Sequence, residues 1–266
     1  MGEPLVVSFT FPSLKTLSCC LKYLSLQGGA IRLVHSRRVG SSEVHLSGSG
    51  VPECSYSEVV VEVRENGGVV KTASADAAND EDDISWVVDG PLLVRVLRIF
   101  EGYGSLTVGL GCDLTSVVLY SQGSERWAKI GALHDLGPLL RVEHEGTVLH
   151  RVSDVEAFCH IVQFVATSPD ATCAVILRFD NLQSFVELRT SAATASALVN
   201  GESLQRHFEG CARTAELSAF AELALRFIAS ATLFVGFGME NLAMFKLEWH
   251  SVPSEVSTAF LYFCTS

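Results

Sequence analysis

The sequence predicts an α+β chain of two domains in which strands and helices recur in one order. Three observations carry that reading. Four amphipathic helical stretches occur, each introduced by a strand and followed by strands, at intervals of roughly sixty to eighty residues, and such a recurrence is settled before single motifs are read. Between the second and third of them, Gln122 to Gly137 breaks the rhythm with turn residues, scattered charge and few large apolar groups. The composition is that of a folded globular protein, since 48% of the 266 residues are hydrophobic and only 18% are charged.

In chain order, LVVSFTF is a short strand, and Pro12 opens a helix as proline does at a first turn. In SLKTLSCCLKYLSLQ the apolar Leu14, Leu17, Leu21 and Leu24 share one face, while Lys15 and Lys22 share the opposite one with Ser18 and Ser25. Gly28 and Gly29 stop it. AIRLVHS, SEVHLSG and SEVVVEVRE follow as strands, the second by its alternation and the third by its β-branched run. TASADAANDEDD is small, polar and acidic, has nothing to bury, and reads as a mobile loop. The unit then restarts with the strand ISWVV. GPLLVRVLRIFEG is a short helix, with Leu93, Val96, Leu97 and Phe100 inward and Arg95 and Arg98 on the polar side. SLTVGLG and LTSVVLYSQ return as strands around a turn at Cys112 and Asp113.

Gln122 to Gly137 is too long to be a structureless crossing inside one compact domain. It reads as a connector, which gives residues 1–121 as an N-terminal domain and residues 138–266 as a C-terminal one, joined by 122–137. From Pro138, LLRVEHEGTVLHRV is strand-like. Ser153 is expected to cap the helix SDVEAFCHIVQFVAT, with Glu156 completing a capping box. Val155, Phe158, Val162 and Val165 then face in, and Glu156, His160 and Gln163 face out. TCAVILRFD and QSFVELRTS are strands joined by a tight turn at Asn181. The serine- and alanine-rich stretch to Asn200 is expected as a loop, and SLQRHFEGCART as a strand. The chain closes with a helix that places Leu217, Phe220, Ala224 and Phe227 inward and Ser218, Glu222 and Arg226 outward, followed by three strands to Cys264.

A net charge of -11 argues against a protein that coats nucleic acid with its whole surface, but leaves room for a local basic strip. No apolar run approaches the length of a membrane span, and the first residues have neither a basic region nor a small-residue cleavage site. A soluble, intracellular protein with no membrane partner is expected. The eight cysteines contain no CxxC pair and mostly sit in apolar runs, as reduced core thiols do.

A catalytic reading has little to stand on. His134, His144 and His150 lie near Asp135, Glu143 and Glu145, but without HExxH or a comparable spacing. VGLGCD is neither a nucleophile elbow nor a phosphate loop, and the acidic run Asp80 to Asp83 reads as solvated. No paired-carboxylate arrangement suits two-metal hydrolysis. No catalytic residue, metal or cofactor is therefore expected. A metal-dependent nuclease or hydrolase working through His144 is the competing class.

The stretch SLQRHFEGCARTAELSAFAELALRF, the following LAMFKLEWH and the aromatic final strand ending LYFC carry a resemblance, together with the fourfold unit and the central connector. Over essentially the whole chain they resemble the sliding clamp family of the PCNA type. Within it they look most like the rad-one subunit of the heterotrimeric nine-one-one checkpoint clamp. The resemblance implies a two-domain clamp fold in which six domains from three subunits close into a ring, with sheets outside and helices lining the hole. It implies a non-enzymatic subunit that encircles duplex DNA in the nucleus, with two related clamp subunits as ring partners. It would be placed by a clamp loader and would serve as a platform for DNA damage checkpoint and repair proteins. The homotrimeric replication clamp is the alternative within the family.

The resemblance also assigns residues. A sliding ring attracts phosphates without reading bases, so cations on the helices are expected toward DNA: Lys15, Lys22, Arg95, Arg98 and Arg226. Subunits would join through edge strands at Leu114 to Gln122, with Leu114, Val117 and Leu119, and at Ser184 to Ala192, with Phe185, Glu187 and Arg189. Partner proteins would dock in an apolar groove of Val44, Leu46, Ile130, Leu133, Leu136, Tyr262 and Phe263.

Overall fold

A computed structural model describes residues 5–25, 29–38, 41–48, 55–65, 84–133, 147–179, 183–200, 208–237, 242–252 and 255–265. The chain divides into two compact units. The first holds Met1–Gly50, Val59–Pro138 and Ser251–Ser257, and the second holds Val51–Glu58, Leu139–His250 and Thr258–Ser266.

The first unit runs β1 (Leu5–Phe11), α1 (Leu14–Ser25), β2 (Ala30–Arg38), β3 (Ser41–Gly48), β4 (Ser55–Glu65), β5 (Ile84–Asp89), α2 (Gly90–Leu97), a 3-10 turn (Arg98–Phe100), β6 (Leu106–Gly111), β7 (Ser116–Tyr120) and β8 (Trp127–Leu133). Its strands neighbour one another in the order β1-β6-β7-β8-β5-β2-β3-β4, and β4 returns to β1. Among the described residues this circuit is narrow at two corners, where Phe9↔Glu65 with Thr10↔Arg64, and Val87↔Leu133 with Val88↔Ala132, are paired.

The helices start where local chemistry allows. Pro12 precedes α1, and the Ser13 hydroxyl accepts from the Thr16 N–H at 3.1 Å. Asp89 caps α2 by accepting from the Leu92 N–H at 2.6 Å, with Pro91 in the first turn. α1 lies against strands β2 and β3, and α2 against β2 and β5. Their inner faces share one core with both halves of the circuit: Leu17, Leu21 and Leu93 meet Leu33, Val88, Val108 and Leu119 around a residual void of about 10 Å³. Burying each such leucine stabilises the unit by about 1.5–3 kcal/mol, and this outweighs the short, weakly propagating helices on their own.

The second unit runs β9 (Val148–Val152), α3 (Val155–Val165), β10 (Thr172–Phe179), β11 (Ser184–Arg189), β12 (Thr194–Asn200), β13 (Phe208–Arg213), α4 (Thr214–Arg226), β14 (Thr232–Phe237), β15 (Leu242–Val252) and β16 (Glu255–Thr265). Its strands follow the order β9-β14-β15-β16-β13-β10-β11-β12, and β12 returns to β9. This is the order of the first unit with every number raised by eight. Among the described residues, the recurrence read from the sequence is therefore a twofold repeat of a circuit of eight strands and two helices. Phe245 centres the second core, with Phe158, Phe220 and Phe263 at 5.2, 6.2 and 5.5 Å between ring centroids.

Three local expectations are corrected. Asp154, not Ser153, caps α3: its carboxylate accepts from the Ala157 N–H at 2.9 Å, while the Ser153 hydroxyl donates to Asn200 instead. The serine- and alanine-rich stretch expected as a loop contains β12, whose Ala197 and Val199 are buried on one face by alternation. The stretch expected as a connector contains β8, which pairs with β7 along Trp127 to Gly131. WAKIGAL hides its alternation because only Ile130 is large and buried. Gly28, the acidic loop at 72–83 and the turn at Asn181 lie outside the described residues.

Candidate nucleic-acid interface

The outward faces of α1 and α2 form a groove of about 280 Å³. Lys15, Ser18, Cys19 and Lys22 line it from α1, and Val94, Arg98 and Tyr103 from α2 and the turn after it. The i, i+3 and i+4 spacing of an α-helix puts Lys15, Cys19 and Lys22 in one row, and the 3-10 turn brings Arg98 across from them. Three of the five cations expected toward DNA thus converge in one concavity, where Glu101 is the one carboxylate among the lining residues. Arg95 is exposed on α2 but outside that lining, and Arg226 is exposed at the end of α4 in the other unit.

These cations are available for an external anion. Lys15, Lys22, Arg95 and Arg98 have no carboxylate partner among the described residues. Other cations of the chain are paired: Arg178 and Arg189 both hold Glu187, Arg213 holds Glu216 at 3.2 Å, and Lys246 holds Glu248 at 2.6 Å. Exposed, unpaired cations keep their full charge for a polyanion, and the concave wall concentrates their field. The arrangement suits phosphate oxygens.

The sequence did not single out the support beneath this groove. The Arg126 guanidinium donates to the Ile99 carbonyl at 2.8 Å and lies over the Tyr103 ring at 5.6 Å, which ties the segment before β8 to the groove wall. Its signal was an arginine just ahead of an aromatic-led strand, too common a pattern to single out.

The helix face of the second unit is different in charge. α3 presents Glu156, His160, Gln163 and a 56% exposed Phe164, and α4 presents Glu222 beside Arg226. One cation faces two carboxylates there.

The edge expectations are corrected. β7, with Val117 and Leu119, is paired with β6 on one side and β8 on the other. β11, with Phe185, Glu187 and Arg189, is paired with β10 and β12. Their backbone hydrogen bonds are used on both sides, so neither strand is open to a partner. Leu114 sits in the turn before β7 with φ +56, and Glu187 is neutralised internally. The open edges lie one strand further on. Among the described residues, Trp127 to Gly131 of β8 and Thr194 to Ala197 of β12 pair on one side only, and the Leu198 carbonyl already accepts from the Ser153 N–H at 3.0 Å. Large apolar side chains accompany both: Trp127 is 65% exposed, Leu133 47% and Leu198 43%.

The partner-groove residues are mostly core. Val44, Leu46, Ile130, Tyr262 and Phe263 are buried and have no surface to offer a peptide. Leu133 is exposed, and Leu136 lies outside the described residues. Of the residues behind the catalytic alternative, His150 is buried on β9, and burial holds its imidazole below the usual histidine range. His134, Asp135, Glu143, His144 and Glu145 lie outside the described residues. Among the described residues no three His, Cys, Asp or Glu side chains come together as metal ligands, and no helix is long and apolar enough to cross a membrane.

Comparison with known proteins adds the following. The model of the N-terminal domain of a domain of unknown function, DUF7881, matches residues 2–136, and that of its C-terminal domain matches residues 137–261. No curated protein matches by sequence. Among solved structures, Proliferating Cellular Nuclear Antigen from Entamoeba histolytica aligns with a TM-score of 0.68 at 8% identity, over 98% of this chain and 99% of that one. PCNA from Thermococcus kodakaraensis aligns with a TM-score of 0.67 at 10% identity, over 98% and 100%. PCNA from A. fulgidus, in a structure with the C-terminal region of FEN-1 bound to it, aligns with a TM-score of 0.67 at 9% identity, over 98% of each chain. Likeness at such identity shows the fold, and the fold is that of the sliding clamps.

Proposed function

This chain belongs to the DUF7881 family and has the sliding-clamp fold, and we propose that it is a non-enzymatic subunit of a ring that encircles duplex DNA. The observation that carries this reading is the groove of Lys15, Lys22 and Arg98, unpaired cations concentrated on the helix face of a strongly acidic chain. Such a face attracts the phosphate backbone by counterion release and holds no sequence, as a sliding contact requires. In this reading the ring closes through the open edges of β8 and β12, with Trp127 and Leu198 as apolar contacts. The platform role is in DNA damage checkpoint signalling and repair in the nucleus, with a clamp loader and repair or checkpoint proteins as partners.

A heterotrimer with two related subunits is favoured over a homotrimeric replication clamp by one observation. The α3 and α4 face carries Arg226 against Glu156 and Glu222. Three copies of this chain would place a cation-poor sector in every subunit, whereas related partners can supply the missing charge.

The test is binding of a short duplex across a salt series, by fluorescence anisotropy, with the full chain and any clamp subunits that co-purify with it. Replacing Lys15, Lys22 and Arg98 with alanine is expected to weaken binding equally for unrelated sequences. It should also lower the slope of log affinity against log salt by about 0.9 for each phosphate that is no longer neutralised. Unchanged affinity and slope would remove the groove from the DNA path.

A further inference from the structure

We propose that Cys211 and Cys264 are a redox pair that closes into a reversible disulfide, stapling the final strand β16 to β13. Among the described residues the two strands run antiparallel over two residue pairs, Gly210↔Thr265 and Cys211↔Cys264. Directly opposed residues of antiparallel strands have Cα atoms about 4.5 or about 5.5 Å apart, and both spacings lie within the roughly 4.4–6.8 Å that a disulfide spans. Opposed side chains also leave the sheet on the same face. Both cysteines are free thiols, Cys211 half-buried and Cys264 exposed. The backbones are already close, because a Cβ on Gly210 would stand 3.0 Å from the Cys264 carbonyl oxygen and 2.8 Å from the Phe263 ring. Glycine there lets β16 approach.

The device belongs to the second unit alone. The equivalent corner of the first unit pairs Val87 with Leu133 and Val88 with Ala132. Three other thiols among the described residues compete poorly. Cys20, Cys159 and Cys173 are buried, and burial pushes Cys159 and Cys173 up to about 11 and Cys20 further still.

The chemistry balances with a small-molecule disulfide such as oxidised glutathione as oxidant. The Cys264 thiolate attacks one glutathione sulfur, forming a mixed disulfide and releasing one glutathione thiolate. The Cys211 thiolate then attacks the Cys264 sulfur, forming the cross-strand bond and releasing the second. Two electrons pass from the protein thiols to the oxidant, and the two thiol protons end on the two glutathione molecules. The closed bond ties a short seam of this unit across the chain segment between residues 211 and 264.

The test is incubation of the reduced, folded full chain with oxidised glutathione, followed by peptide mapping and a thermal melt; it needs nothing of the ring. The expected result is a Cys211–Cys264 linked peptide that dithiothreitol reverses, together with a Tm raised by on the order of 5 °C or more. Exposed Cys112, in a turn of the other unit, should stop at the mixed disulfide. With C211S, Cys264 should likewise stop at the mixed disulfide and the Tm gain should vanish. The proposal is overturned if, in the wild-type chain, Cys211 and Cys264 stay thiols or end as separate glutathione adducts under conditions that modify Cys112.

Discussion

Lys15, Lys22 and Arg98 matter through their surroundings rather than their charge alone, since the chain pairs other cations with carboxylates and leaves these three facing one groove. A buried residue on β9 gives a separate prediction. Burial holds His150 below the usual histidine range, so around and below pH 6.5 the unfolded chain binds the proton more readily than the folded one. Its contribution to stability is therefore complete above that value and declines as pH falls. Urea melts at pH 7.5 and pH 5 should show the wild-type chain losing more stability on acidification than H150M, with a ceiling of about 1.4 kcal/mol per pH unit for one proton. Equal losses would contradict it. The groove cations were legible from helical spacing alone, because the pattern that buries Leu14, Leu17 and Leu21 leaves Lys15 and Lys22 outside. The α3 cap was not. Ser153 and Asp154 are both good capping residues, and only the backbone at Asp154 turns the right carboxylate toward the Ala157 N–H.

Among the elements, β8 and β12 carry the proposed association of the chain. Each is paired along its length on one side, and the other side meets a neighbour only at its last residues. Both were hidden in the sequence. Their alternation rests on small residues, with Ala195 and Ala197 in one and Ala128 and Ala132 in the other, so hydrophobic periodicity was faint. The strongly apolar SVVLY and SFVELR drew the edge assignment instead, yet their very apolarity fits them for the sheet interior. Exposed positions can be changed at little cost to folding, within about 0.5 kcal/mol. W127E and L198E are thus expected to leave circular dichroism and Tm near wild type while abolishing association with ring partners, measured by light scattering. Association that survives both substitutions would move the interface elsewhere.

At the scale of the molecule, one circuit of eight strands and two helices is built twice from residues with little in common. What the halves share is pattern: an apolar stripe on every helix and strands that bury one face. That made the fold legible despite 8–10% identity to the clamps of known structure. What differs is charge, cationic on the first pair of helices and cation-poor on the second. No periodicity specifies which neighbour would complement that imbalance, so partner identity lay beyond reach of the pattern. The most direct test of the ring is to purify the tagged full-length chain from its own cells and examine the complex by native mass spectrometry and electron microscopy. The account predicts three clamp-fold chains, this one with two related subunits, forming six lobes around an open hole wide enough for duplex DNA. A stable monomer, or a compact assembly with no hole, would contradict it.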